Sequence, residues 1–250
     1  MKRYAPTVEI LGVPIARLDP ATALVKVERL YNADAPACVF YANAHTLNLA
    51  SRNPEFKAIL RRADLVLNDG SGVAIAARVY GQPFPANLNG SDFNPQILAL
   101  AAERGWSSFF LGARPGVAKK AAHRLQAHIP NLKIAGVHDG YFPQAQSSRL
   151  AREIQASGAG VLMVAMGNPL QELWLERYLY QTGVRLGIGV GAFFDYCARV
   201  VPRAPHVMNR LGIEWLYRLA QEPRRLWRRY LIGNPAFLAR VTIERLAPRR

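Results

Sequence analysis

A chain of 250 residues, half of them hydrophobic and a fifth charged, can bury one substantial core and is too apolar to remain disordered. Its two cysteines, Cys38 and Cys197, lie far apart and give no disulfide framework, and neither a signal-peptide core nor the roughly eighteen apolar residues of a spanning helix occurs, so a cytoplasmic protein is expected. The net charge of +15 calls for an anionic partner, and it is concentrated: residues 199–250 hold twelve arginines against three glutamates.

In chain order, residues 8–16 read as a short β pair around Gly12-Val13-Pro14. Asp19-Pro20 supplies an N-cap with proline at the first helical position, and the stripe Leu24, Val27, Leu30 and Tyr31 carries a helix. From there strand and helix signals alternate. Strands are predicted over 37–42, 64–67, 107–111, 132–136, 161–165 and 185–190, and helices over 54–62, 73–80, 92–104, 115–128, 147–156 and 169–181. Continuous apolar runs such as Val161-Leu162-Met163-Val164-Ala165 suit a sheet covered on both faces. The alternation predicts an α/β fold over residues 1–200, a doubly wound, mostly parallel sheet with helices on both faces. Ligands of such a fold bind beyond the carboxyl ends of the strands.

After Val201 the pattern becomes three helices, over 205–221, 224–232 and 235–246, broken at Glu222-Pro223 and Gly233-Asn234-Pro235. Arginine and aromatics interleave here, from Trp215, Tyr217 and Arg218 to Arg228, Arg229 and Tyr230. Residues 201–250 are therefore expected to form a basic, membrane-associating helical appendage.

Four strand-end loops are more polar or richer in glycine than a connector requires: 41–45, 68–72, 111–116 and 166–172. Asp69, between Asn68 and Gly70, is placed to take a proton from an attacking hydroxyl; alternatively, Asp69 or Ser71 caps the following helix. Gly112, Arg114 and Gly116 read either as a phosphate cradle at a helix N-terminus or as an ordinary tight turn. Asn168 and Gln171 flank Pro169, where their amides suit sugar hydroxyls or a cap, and Asn43 and His45 carry the same two readings. Gly187-Ile188-Gly189-Val190-Gly191-Ala192 formally matches a dinucleotide fingerprint but belongs to the last strand rather than the first. Asp195, just beyond it, is the better prospect for holding a base or ribose. No Asp-x-Asp or Glu-x-Asp pair and no cluster with metal-ligand spacing occurs. No metal or other cofactor is expected, and arginines and helix dipoles are left to stabilise a leaving diphosphate.

Taken in order, these segments resemble the WecG/TagA/CpsF glycosyltransferase family. The resemblance runs through Ala63-Asp64-Leu65-Val66-Leu67-Asn68-Asp69-Gly70-Ser71-Gly72, Asn89-Gly90-Ser91-Asp92, Phe110-Leu111-Gly112-Ala113-Arg114-Pro115-Gly116, His138-Asp139-Gly140-Tyr141-Phe142, Gly167-Asn168-Pro169-Leu170-Gln171-Glu172, Gly189-Val190-Gly191-Ala192-Phe193-Phe194-Asp195, Arg203-Ala204-Pro205 and Gly212-Ile213-Glu214-Trp215-Leu216-Tyr217-Arg218-Leu219. It implies inverting transfer from a UDP-sugar to an undecaprenyl-diphosphate-linked sugar in cell-surface polysaccharide assembly, at the inner face of the cytoplasmic membrane. It makes Asp69 the base, puts Asn43 and Gln171 on substrate and Asp195 and Tyr141 at the nucleoside, and turns the C-terminal arginines toward lipid and diphosphate. The candidate substrate-binding residues are Tyr41, Asn43, Asn68, Ser91, Asp92, Gly112, Arg114, Tyr141, Gly167, Gln171, Asp195, Arg203, Arg210 and Arg218. The family usually has Thr-Pro-Asn in the first loop, where this chain has Tyr41-Ala42-Asn43; the missing hydroxyl suits a glucose-like rather than an N-acetylmannosamine-like donor. The partners so implied are a UDP-sugar, a lipid-linked sugar and an anionic membrane surface, without nucleic acid; a homo-oligomer is compatible with the sequence. Three other readings stay open: a nucleic-acid-binding α/β protein, a nicotinamide-dependent oxidoreductase and a non-catalytic membrane adaptor.

Overall fold

The chain opens with an antiparallel hairpin of β1 (Thr7–Ile10) and β2 (Val13–Ala16). Leu11 and Gly12 both take positive φ, 50° and 76°, as a two-residue turn between right-twisted strands requires. The turn thus lies one residue ahead of the expected Gly12-Val13-Pro14, and Pro14 is inside β2. The computed structural model describes residues 6–202, 204–205, 208 and 213–247; the candidates Arg203 and Arg210 lie outside them.

Six strands follow: β3 (Ala37–Ala42), β4 (Leu65–Asn68), β5 (Ser107–Gly112), β6 (Lys133–His138), β7 (Val161–Ala165) and β8 (Leu186–Gly189). They form one parallel sheet in the order β4-β3-β8-β7-β5-β6. Alternate residues feed two cores, so that Cys38, Phe40 and Ala42 of β3 face one way and Ala37, Val39 and Tyr41 the other. The first core is covered by the hairpin and by α2 (Ala44–Ala50), α3 (Pro54–Arg62), α4 (Ser71–Val79), α7 (Ser147–Ala156) and α8 (Leu170–Thr182). The second lies under α1 (Pro20–Tyr31), α5 (Gly90–Glu103), α6 (Val117–His128) and α9 (Phe193–Cys197). This is the doubly wound α/β fold expected from the alternation. Strands as apolar as β7 are buried along their whole length because helices cover both faces.

Two helices escape the sequence pattern. α2 and α9 have seven and five residues, too few to show a helical period. Beyond α9, the described C-terminal residues fold as α10 (Glu214–Gln221), α11 (Pro223–Trp227), a π-helical turn (Arg228–Ile232) and α12 (Gly233–Leu246). The expected break at Gly233-Asn234-Pro235 is absent. Pro235 sits in the first turn of α12, where a missing N–H costs little, and the wider π turn precedes it. α12 packs on α2 and α4. Its Phe237 and Val241 are fully buried in the first core, and its Glu244 carboxylate accepts hydrogen bonds from the Leu11 amide, at 3.1 Å, and from the Tyr80 hydroxyl. The Asn48 amide of α2 donates to the Gly233 carbonyl at 2.7 Å, and Arg240 donates to the Asn48 side-chain oxygen. The described part of the tail adds no strand to the sheet, but it shares the core.

Candidate active site

Because all six strands run the same way, their carboxyl-end loops gather on one side, and the C-terminal helices fold over that side. Between them lies a cavity of about 1310 Å³. Asp69 sits in its wall. The Asp69 amide continues the β3–β4 ladder by donating to the Ala42 carbonyl at 2.9 Å, so the residue leaves the strand in a fixed direction. Its side chain does not cap α4. The cap position is Gly70, with φ 91° and no side-chain cap bond, and the Gly70 amide donates instead to Asn87 Oδ1 at 3.0 Å. One Asp69 carboxylate oxygen accepts from Asn43 Nδ2 at 3.0 Å.

Asn43 therefore does two jobs with one amide. Its Oδ1 caps α2 through the Thr46 amide at 3.0 Å and the Thr46 hydroxyl at 3.1 Å, which leaves Nδ2 aimed at Asp69. His45, in the first turn of α2, also lines the cavity. Burial, and then the nearby Arg229 charge, depress it to about 4, so it is neutral at physiological pH.

Facing this carboxylate from the C-terminal side are Arg218 and Arg229. The guanidinium of Arg218 lies 5.4 Å from the Tyr196 ring centroid, and that of Arg229 lies 5.6 Å from the Tyr230 ring centroid. In both arginines the Nε is buried with no hydrogen-bond partner. Burial, followed by the neighbouring Arg218 charge, lowers Arg229 below the usual guanidinium range. Arg218, by contrast, is held above the usual range although burial opposes it, chiefly by Tyr196 and Tyr230, and the Asp69 charge favours the charged form of both arginines. Farther along, Asp195 is raised by burial, against the pull of Arg225 and Arg114.

Of the sequence candidates, Tyr41, Asn43, Asp69, Ser91, Arg114, Tyr141, Gly167, Gln171, Asp195 and Arg218 line the cavity together. Three do not. Asn68 is fully buried and ties the 86–89 loop to β4 by donating to the Ala86 carbonyl at 2.8 Å. Asp92 makes a reciprocal cap with Asn89, whose Nδ2 donates to its carboxylate at 2.8 Å and whose Oδ1 accepts from its amide at 3.1 Å. Gly112 is glycine because a Cβ there would stand 2.4 Å from the Ala165 carbonyl oxygen, where β5 and β7 come together. Sequence reasoning passed over Asn87, Glu172 and Tyr196, and it took Arg225 and Arg229 only together with the other C-terminal arginines, toward membrane and diphosphate. Arg218 belongs to α10 and Arg225 to α11, with the break at Glu222-Pro223 between them, and Arg229 lies in the π-helical turn, so no single helical period links the three. Among the described residues, no group of three or more His, Cys, Asp or Glu is placed to hold a metal ion.

The chain matches the model of the glycosyl transferase WecG/TagA/CpsF family over residues 8–250. One relative, the N-acetylglucosaminyldiphosphoundecaprenol N-acetyl-beta-D-mannosaminyltransferase of Bacillus spizizenii, is 34% identical over 192 residues, covering 77% of this chain and 73% of that one.

Proposed function

This chain belongs to the WecG/TagA/CpsF family of glycosyl transferases, and on that footing we propose that it moves a sugar from a UDP-sugar onto an undecaprenyl-diphosphate-linked sugar, with inversion and without a metal. The observation that carries the reading is the pairing, in the lining of one cavity, of a carboxylate held by Asn43 with two largely buried arginines, Arg218 and Arg229. In the proposed step the acceptor hydroxyl oxygen attacks the anomeric carbon from the face opposite UDP. As the new C–O bond forms, Asp69 takes the hydroxyl proton. The bond from the anomeric carbon to the β-phosphate oxygen breaks, and its electron pair leaves on UDP. Arg218 and Arg229 meet the charge that grows there, and because they are already desolvated and held against aromatic rings, little reorganisation is needed.

The relative's name specifies transfer to a diphosphoundecaprenol-linked sugar, and the C-terminal surface suits such an acceptor. Leu231 and Ile232 are each 55% exposed, Ile243 69% and Leu246 77%, and Arg224, Arg228 and Arg245 are exposed among them. Apolar side chains with arginine beside them fit the headgroup layer of an anionic membrane. No helix of the described residues is long and apolar enough to cross a membrane, so peripheral attachment to the inner leaflet is the arrangement proposed. Tyr41, near the end of β3, lines the cavity and donates to Asn94 Oδ1 at 2.7 Å; a tyrosine where the family usually has threonine is the ground for proposing a donor sugar different from the relative's.

The test is to incubate the protein with a panel of UDP-sugars and a short prenyl-diphosphate-linked sugar in EDTA, then weigh the product and assign its anomer. One added sugar with inverted configuration is expected. No product with any donor, or product only after Mg²⁺ or Mn²⁺ is returned, would count against the proposal.

A further inference from the structure

We propose that Glu172 is a positioning residue for the transfer site: its buried carboxyl group fixes the side-chain amides of Asn168 and Gln171, and Gln171 in turn pins the two glycine loops at the cavity floor. The proposal rests on the reading of that cavity as the site of transfer.

Glu172 lies in the first turn of α8 and is fully excluded from solvent. Its Oε1 accepts from Asn168 Nδ2 at 2.5 Å and from Gln171 Nε2 at 2.7 Å. Gln171, 2% exposed, spends its oxygen on two backbone amides, those of Gly167 at 3.2 Å and Gly191 at 3.0 Å. Gly167 follows β7 and Gly191 follows β8, and both take positive φ, 76° and 57°. One side-chain amide thus bridges the ends of two neighbouring strands, and its orientation matters. Turned over, Gln171 would set its NH₂ against two N–H donors and its oxygen against the Glu172 oxygen. The acceptor Glu172 supplies is what selects the productive orientation.

The amide also has little room to move, since a Cβ on Gly189 would come within 2.9 Å of Gln171 Nε2. Asn168, Gly167, Gly191 and Gln171 all line the cavity, whereas Glu172 does not. It therefore acts through them. Its second oxygen is buried with no partner, and burial pushes the carboxyl up to about 7. A leucine would fill such a position at far lower solvation cost. The group that stays is one whose acceptor is used.

The test compares Glu172→Gln, which keeps an acceptor oxygen, with Glu172→Met, which keeps the volume and loses it. Steady-state transfer is measured for each, with circular dichroism and melting to confirm folding. Glu172→Gln should stay within about threefold of the wild-type kcat/KM, and Glu172→Met should fall by about tenfold to a hundredfold, the scale of an ångström-level misplacement. The combined Gln171→Met/Glu172→Met variant should lose no more than the worse single one, because both act through the same clamp. A Met variant equal to wild type, a Gln variant as poor as the Met, or additive losses would each overturn the proposal. If Glu172→Met does not fold, hydrogen exchange of the wild type decides: the Gly167 and Gly191 amides should exchange as slowly as core amides, and exchange at open-loop rates removes the clamp. Lack of transfer by the wild type itself would instead sink the reading of the cavity.

Discussion

Replacing Asn43 by aspartate separates the two jobs of its side chain. As an N-cap, aspartate serves as well as asparagine, so the bonds to the Thr46 amide and hydroxyl at 3.0 and 3.1 Å survive, and the melting temperature should barely change. Toward Asp69 the effect is the opposite. The donor that now stands 3.0 Å from the Asp69 carboxylate becomes a second carboxylate. Relaxed to about 5 Å, with an effective dielectric constant of about 20, the two charges repel by about 3 kcal/mol, or roughly two pH units. The pair then holds one proton more tightly than a single carboxylate would. The assay is the initial rate of transfer from pH 5 to 9. The acid limb of the profile should move up by about two pH units, with the lost rate recovering at higher pH. A profile that overlays the wild type, in a protein that melts normally, would show that Asn43 does not govern Asp69 and that the base lies elsewhere. Asn43→Ala, by contrast, should lose both functions and about 1 kcal/mol of stability with the cap.

Glu172 sets a pH dependence of stability with a definite sign. Its folded-state value of about 7 stands above the ordinary 4.5, so the native state holds the proton more tightly, and stability falls as pH rises from about 4.5 to about 7. Glu172→Gln should therefore gain about 3 kcal/mol over wild type at pH 8 and almost nothing at pH 4; equal denaturation midpoints for the two proteins at pH 8 would contradict this. Phe237→Ala should cost about 3 to 5 kcal/mol in urea unfolding, as for a phenylalanine removed from a packed core, whereas a loss under about 1 kcal/mol would make the tail a detached appendage. Leu231→Ser/Ile232→Ser/Arg228→Ser should float with anionic liposomes at least tenfold less than wild type, given about 1 kcal/mol for the arginine and more for the two apolar side chains; undiminished flotation would place the membrane contact on another surface.

Much of the sheet was legible because fully buried parallel strands are continuously apolar. Residues 161–165 and 37–42 are β7 and β3 to the residue, and the helices predicted at 54–62 and 147–156 are α3 and α7. The order of the strands was not legible. Pairing of Val39 with Ile188 joins residues 149 positions apart, and nothing local encodes it. The same limit hid the tail: Phe237 and Val241 show a helical stripe, but which face they cover depends on α2 and α4. At the site, the loops were found because polar and glycine residues at strand ends are locally visible. What was misjudged is which side chains turn inward. Gly112 and Asn68 stand in the right loops, yet one serves the close approach of two strands and the other fastens a neighbouring loop. For Asn43 the sequence left two readings open, a sugar contact or a cap, and the structure shows it capping α2 and holding Asp69 at once.

Transfer by Asp69→Asn tests the central claim most directly. The amide keeps the size of the side chain, and since Asp69 caps no helix, folding and UDP affinity should be unchanged. With a UDP-sugar donor and a prenyl-diphosphate-linked sugar acceptor at saturation, turnover followed by product mass should fall by about 10² to 10⁴, the usual worth of a general base. A folded, UDP-binding Asp69→Asn protein that keeps more than about a tenth of wild-type turnover would contradict the assignment of Asp69 as the base.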